Sequence, residues 1–247
     1  MAKAIIIIPC YNESKRLDLR QFQLLDEYSN HHLLFVNDGS RDSTSELLAP
    51  WCQINPSHRR LLNLPSNVGK AEAIRRGMSL CSDENPDIIG YADADLATPV
   101  SEINRLVKAL ESAPPDISAV LGSRIRRLGA DISRNPFRHY AGRALASIAS
   151  ILLKMSIYDT QCGAKFFRND LALRNSIQEP FLARWIFDVE LLGRLSREYE
   201  KTGRRRESAF LEIPLRQWSE VGGSNISTGS FVRAAFDLIR ICFKFEK

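Results

Sequence analysis

Four consecutive isoleucines, Ile5 to Ile8, stand near the start of the chain and are ended by Pro9. Apolar β-branched side chains at every position suit a strand covered on both faces, and such strands belong to parallel sheets packed between helices. The device recurs. Apolar runs at 33–36, 61–64, 88–92 and 119–122 alternate with helical patterns at 17–28, 44–51, 71–81 and 102–111. Strand and helix thus alternate at intervals of roughly thirty residues, the pattern of a parallel α/β sheet with right-handed crossovers. Asp42 and Ser43 stand where they would cap the helix that begins at Thr44. The second half is less regular: an apolar helix over 140–155, a polar loop over 159–165, a Trp-rich segment and a terminal helix. No repeat or Pro/Gly-rich linker divides the chain, so residues 1–247 are read as a single domain.

Composition narrows the class. With 44 % hydrophobic and 26 % charged residues, the chain has enough apolar material for a sizeable core. The net charge of +5 suits partners that carry phosphate without choosing among nucleotides, nucleic acid and anionic lipid. Arg204, Arg205 and Arg206, with Arg126 and Arg127, make basic runs that suit either anionic headgroups or a solvated loop. No aromatic-interleaved or helix-turn-helix pattern accompanies them, so no nucleic-acid partner is expected. The five cysteines (Cys10, Cys52, Cys81, Cys162, Cys242) are scattered without a CxxC pair. They read as reduced thiols of a cytosolic protein, without a disulfide framework or zinc site. The stretch 5–8 is too short for a signal-peptide core, and the longest uncharged apolar stretch, 144–153, is about half a bilayer span. The chain is therefore expected not to cross a membrane.

Polar clusters follow each proposed strand, where ligands of open α/β sheets bind. Pro9-Cys10-Tyr11-Asn12-Glu13 follows the first, Asn37-Asp38-Gly39-Ser40 the second and Asn67-Val68-Gly69-Lys70 the third. Asp93-Ala94-Asp95 follows the fourth and Gly122-Ser123-Arg124 the fifth. Any one of these reads as an ordinary turn; five at one sheet edge do not. Asp93 and Asp95 are two apart, so an extended chain would put both carboxylates on one side. Paired hard oxygens suit Mg²⁺ or Mn²⁺ bridging the phosphates of a substrate. Asp38 is a candidate acceptor for a nucleotide edge. Gly69 lets backbone approach a phosphate while Lys70 supplies charge. The P-loop spacing is absent, which disfavours ATP hydrolysis.

Together these clusters resemble the large inverting glycosyltransferase family of GT-A fold, an α/β fold with a central, mostly parallel sheet flanked by helices. In the second half, Asp159-Thr160-Gln161-Cys162-Gly163 with Lys165-Phe166, the segment from Arg184 to Leu191, and the segment from Trp218 to Ser224 are similar to the dolichyl-phosphate glucosyltransferase branch. They are similar, less closely, to polyprenyl-phosphate mannose synthases. The resemblance implies that residues 1–125 bind the nucleotide-sugar and 126–247 the acceptor. By position it gives Pro9, Tyr11, Glu13 and Asp38 the nucleoside, and Asp93 and Asp95 the metal. Arg124 would meet phosphate near the reacting centre. Arg143 and Ser147 form the Arg-x-x-x-Ser spacing that holds the acceptor phosphate in the mannose synthases, and one helical turn separates them. Asp188 stands where many relatives keep a catalytic base. Two departures, Ser219 in place of an Arg and Ala97 in place of a Gln, favour UDP-glucose over GDP-mannose as donor.

The implied reaction is an in-line, inverting displacement at the anomeric carbon. A lipid phosphate acceptor is already anionic and leaves Asp188 to orient a hydroxyl or the acceptor; a sugar hydroxyl acceptor would need Asp188 as base. Asp188 also reads as a capping or ion-pairing carboxylate on a helix. In the terminal segment Arg233, Asp237, Arg240 and Lys244 make a polar stripe against Phe231, Phe236, Leu238, Ile239, Ile241, Phe243 and Phe245. Such a helix lies in a membrane interface, packs on its own domain or mediates a homodimer. A similar stripe at His139, Arg143, Ser147 and Lys154 would line the lipid's entry. The reading is a peripheral enzyme on the cytoplasmic face of a membrane. A glycan- or glycolipid-building transferase and a non-catalytic nucleotide-sugar binder are the alternatives.

Overall fold

The computed structural model describes residues 3–27, 31–133, 136–222, 236–238 and 240–241. Its strands are β1 (Ala4–Cys10), β2 (His32–Asn37), β3 (Arg59–Asn63), β4 (Ile88–Ala92), β5 (Ala119–Ser123), β6 (Asp131–Ser133), β7 (Ala164–Arg168), β8 (Phe210–Pro214) and β9 (Gln217–Ser219). Its helices are α1 (Leu19–Glu27), α2 (Thr44–Ile54), α3 (Lys70–Ser82), α4 (Val100–Ser112), α5 (Pro136–Leu153), α6 (Leu171–Ser176) and α7 (Phe187–Lys201).

Seven strands form one sheet in the order β3-β2-β1-β4-β7-β5-β8, and β6 and β9 make a separate two-stranded parallel sheet. The isoleucine run is an interior strand of the larger sheet, and the four side chains alternate between two cores. Ile5 and Ile7 join Leu34, Val36, Ile74 and the α7 residues Leu191 and Leu195 on one face. Ile6 and Ile8 join Phe22, Phe35 and the α4 residues Ile103 and Leu106 on the other. All four isoleucines are fully buried, each stabilising the fold by roughly 1.5–3 kcal/mol relative to exposure.

The sheet is mostly parallel, as expected, with one antiparallel strand that the alternating pattern does not mark. β7 inserts between β4 and β5 and runs antiparallel to both. In sequence its first residues read as the end of a polar loop because Lys165 is its second residue; that lysine is fully buried and paired. Strand β4 can abut β7 closely because position 90 has no side chain: a Cβ there would lie 2.1 Å from a ring carbon of Phe166.

Three smaller readings gain detail. Ser43 occupies the N-cap of α2 but its side chain makes no capping bond. Asp42 instead accepts from the backbone N–H of Thr44 at 3.1 Å and from its hydroxyl at 2.5 Å. In the terminal segment Leu238 and Ile241 are buried in the first core, which favours packing on the chain's own body for that turn, while Phe236 is exposed. Phe231, Arg233, Ile239, Cys242, Phe243, Lys244 and Phe245 lie outside the described residues, as does the side chain of His139. Finally, Arg204 donates to the Asp116 carbonyl and Arg206 pairs with Glu200 at 2.6 Å, so two of the three arginines of that run serve internal contacts. The four described cysteines are buried and free.

Candidate active site

The carboxyl ends of β1 to β4 open on a cavity of about 330 Å³ lined by Pro9, Tyr11, Glu13, Asp38, Lys70, Asp93 and Asp95. That volume is in the range of small-molecule sites. Cys10, Arg16, Asn67 and Ala94 complete its lining. Four of the five polar clusters therefore meet. The fifth, at Arg124, stands apart from this lining.

Each wall has its own anchor. Tyr11 is exposed and Glu13 buried, and the Glu13 carboxylate grips Arg16 at 2.5 and 2.8 Å. Burial raises the Glu13 pKa against the lowering influence of Arg16, with Asp95 and Asp93 adding to the rise. Asp38 accepts from the backbone N–H groups of Val68 at 2.7 Å and Gly69 at 2.9 Å, and from Asn67 Nδ2 at 3.0 Å. It thus clasps the turn that leads into α3. Gly69 enters that helix at φ +93°, a conformation that favours glycine. Burial raises the Asp38 pKa, with the N–H donors and Arg184 opposing.

Asp93 and Asp95 share the cavity wall, but by a turn and not by extended chain: the N–H of Leu96 donates to the Asp93 carbonyl, and Leu96 has φ +51°. Lys70 Nζ meets Asp93 Oδ1 at 2.5 Å. Arg16 stands 3.9 Å from Asp95 Oδ2. Burial raises the Asp95 pKa, and the neighbouring charge of Asp93 adds to it. Desolvation of the Lys70 ammonium works against its charge, yet Asp93, Asp188 and Asp95 outweigh it and raise its pKa. The room for Asp93 is cut by Gly163, where a Cβ would lie 1.9 Å from Asp93 Oδ2. Two half-buried like charges in a fitted recess suit a hard divalent cation. Among the described residues no third His, Cys, Asp or Glu completes a metal cluster with them. Two protein carboxylates would leave the remaining positions to water and substrate phosphate, the usual pattern for Mg²⁺.

Three further groups stand outside this lining. Asp188, at the start of α7, is buried; its Oδ1 accepts from the Tyr91 hydroxyl and from Lys165 Nζ at 2.5 Å. Lys165 also donates to the Cys162 carbonyl at 2.6 Å. Arg124 makes a bidentate pair with Asp159 at 2.7 and 2.8 Å and lies 5.2 Å from the Trp218 ring centroid. Arg143 donates to the Tyr158 carbonyl and stacks 3.6 Å from that ring's centroid, while the Ser147 hydroxyl donates to the Arg143 carbonyl at 2.9 Å. Neither lines the cavity. The two departures noted in sequence are neighbours in space: the N–H of Ser219 donates to the Ala97 carbonyl at 3.1 Å, and the Ala97 N–H donates to Asp95 Oδ1 at 3.1 Å.

Sequence reading missed Arg16, Asn67, Tyr91, Asp159 and Lys165 as individual site residues. Asp159 and Lys165 lay inside a motif already singled out; Tyr91 sat unremarked in a strand. Only tertiary pairing reveals their use.

The model of glycosyl transferase family 2 matches residues 5–178. A dolichyl-phosphate beta-glucosyltransferase of Trichomonas vaginalis is 31 % identical over 256 residues, covering 97 % of this chain and 71 % of its own. The human dolichyl-phosphate beta-glucosyltransferase is 30 % identical over 259 residues, covering 97 % of this chain and 75 % of its own. Among solved structures, glucosyl-3-phosphoglycerate synthase of Mycobacterium tuberculosis, in complex with Mn²⁺, UDP and phosphoglyceric acid, superposes with a TM-score of 0.64 at 17 % identity. It covers 98 % of this chain and 78 % of that one, a likeness of fold. The sheet order, the acidic cavity at its carboxyl edge and a family match over most of the length agree: the chain belongs to glycosyl transferase family 2 and is a sugar-transferring enzyme.

Proposed function

We propose that the protein transfers glucose from UDP-glucose to a polyprenyl phosphate, with inversion, as a single-domain enzyme working peripherally on the cytoplasmic face of a membrane. The observation that carries the reading is the likeness, over 97 % of the chain, to dolichyl-phosphate beta-glucosyltransferases. Among the described residues no helix is long and apolar enough to cross a membrane. On the donor side, Pro9, Tyr11 and Asp38 would take the nucleoside, with the Gly69 backbone and Lys70 beside them. Glu13 acts there through Arg16, which it holds toward Asp95. Asp93 and Asp95 would hold Mg²⁺ or Mn²⁺, which when bound supplies charge neutralisation for the departing diphosphate. Lys70, paired with Asp93 here, is placed to turn onto the same phosphates.

On the acceptor side, a lipid phosphate arrives as an oxyanion, so positioning and charge stabilisation dominate. Arg143 and Ser147 would exchange their present partners, the Tyr158 and Arg143 carbonyls, for phosphate oxygens. Arg124, fixed by Asp159, keeps positive charge behind the reacting centre. Its pKa stays high because Asp159 outweighs the cost of burying the guanidinium. Asp188 has one oxygen taken by Lys165 and Tyr91, which favours an orienting role over that of a base.

The test is turnover of UDP-glucose with a short polyprenyl phosphate and Mg²⁺ or Mn²⁺, with Asp95→Ala as control. A glucosyl-phospholipid product, lost in the variant, is the expected result. Product only from GDP-mannose would correct the donor. No lipid product from any donor would sink the lipid-phosphate reading and return Asp188 to consideration as base for a hydroxyl acceptor.

A further inference from the structure

The arginines that sequence pattern assigns to phosphate, Arg124 and Arg143, are both committed inside the protein, one to Asp159 and the other to Tyr158. A third arginine is not. Arg184, just ahead of α7, is exposed and makes no hydrogen bond or ion pair to another described residue. Its guanidinium lies against Gly69: a Cβ built there would meet Nε at 3.0 Å, Nη2 at 3.2 Å and Cζ at 3.5 Å. The bare backbone at Gly69 therefore makes the place that the guanidinium fills.

That place is the rim of the donor cavity. Gly69 donates its N–H to Asp38, and the next residue, Lys70, lines the cavity with Asp38 and Asp93. Arg184 thus stands at the turn between Asp38 and Lys70, near enough to lower the Asp38 pKa, on a segment that comes from the other half of the chain. A guanidinium presents five N–H donors in a fixed fork that matches phosphate, and none of these donors is taken by another described residue.

We propose that Arg184 is a phosphate-binding residue of the active site, closing on an oxyanion of the donor diphosphate or of the acceptor phosphate. The inference rests on the glycosyl-transfer reading for its ligands, but its main test needs no turnover. UDP affinity in the presence of Mn²⁺ is measured by calorimetry for the wild type, Arg184→Ala and Arg184→Lys, alongside KM for the lipid phosphate. Because Arg184 is exposed, both variants should melt as the wild type does.

Loss of a charge-assisted hydrogen bond corresponds to about tenfold in affinity. A tenfold weaker UDP complex in Arg184→Ala, partly recovered in Arg184→Lys, assigns the residue to the donor. Unchanged UDP affinity with a tenfold higher acceptor KM assigns it to the acceptor phosphate. UDP affinity and acceptor KM both within twofold of the wild type would overturn the proposal. Should the wild type bind UDP but turn over no lipid phosphate, the acceptor reading fails on its own account, and unchanged UDP affinity in Arg184→Ala would then overturn this one.

Discussion

Replacing Gly163 with alanine should leave a folded protein that no longer holds Asp93 in place. A Cβ at 163 would lie 1.9 Å from Asp93 Oδ2, 2.3 Å from Cγ and 2.8 Å from Oδ1. An unstrained carbon–oxygen contact sits at roughly 3.3 Å, so the carboxylate must retreat by about 1.4 Å. Gly163 is not among the residues of positive φ, so its backbone accepts an alanine. What yields is the end of a short side chain that is one-third exposed and, among the described residues, paired only with Lys70. The stability cost should therefore stay within about 1 kcal/mol, the scale of exposed ion pairs. Catalysis is less forgiving: a misplacement of about 1 Å costs on the order of a hundredfold. The assay is turnover of UDP-glucose and polyprenyl phosphate across a Mn²⁺ titration, with urea unfolding in parallel. We expect a loss of about a hundredfold or more and a weaker Mn²⁺ dependence. The same change made on Asp93→Ala should do nothing further. Near-normal turnover at unchanged Mn²⁺ dependence would refute the claim that Asp93 must occupy this recess. A collapse in stability of more than about 3 kcal/mol would refute the claim that Asp93 is the part that moves.

Lys165→Met should destabilise the protein by roughly 3–5 kcal/mol, because it strands the buried Asp188 carboxylate without its ammonium partner; urea unfolding measures this, and a loss below about 1 kcal/mol would mean that Tyr91 suffices. His31 is buried and its pKa is pushed by that burial from 6.5 to about 4, so it folds neutral. The unfolded chain therefore binds the extra proton first: stability is full above pH 6.5 and falls as the pH drops toward 4, by about 2 kcal/mol between pH 7 and pH 5. Comparing that loss in wild type and His31→Leu isolates the term, and equal losses would rule it out.

The strands at the heart of the sheet were legible because burial on both faces writes an unbroken apolar run: Ile5 to Ile8 could hardly belong elsewhere. The acidic pair was legible because it directly follows such a run. β7 was not, since Lys165 interrupts its apolar pattern and only Asp188, 23 residues later, explains a lysine there. Nor were β6 and β9, each three residues long, whose pairing spans 86 positions between Asp131 and Gln217. Residues such as Tyr91 and Asp159 carry no local mark. Their roles come from partners brought by the fold, Asp188 for the first and Arg124 for the second.

The antiparallel insertion of β7 also orders events while the chain is being made. When synthesis has passed β5, β4 and β5 each still show an open edge toward the gap that residues 164–168 will fill. Exposed strand edges invite pairing with other chains, so a nascent chain at this stage is a natural client for chaperones. The same gap leaves Asp93 without its wall, because Gly163 immediately precedes β7. Nucleotide offered to a stalled chain ending near residue 125 would find Asp38 and Lys70 but an unfinished acidic pocket. The recess of Asp93 in the first half is thus completed by Gly163 from the second, so the first half cannot finish that pocket alone.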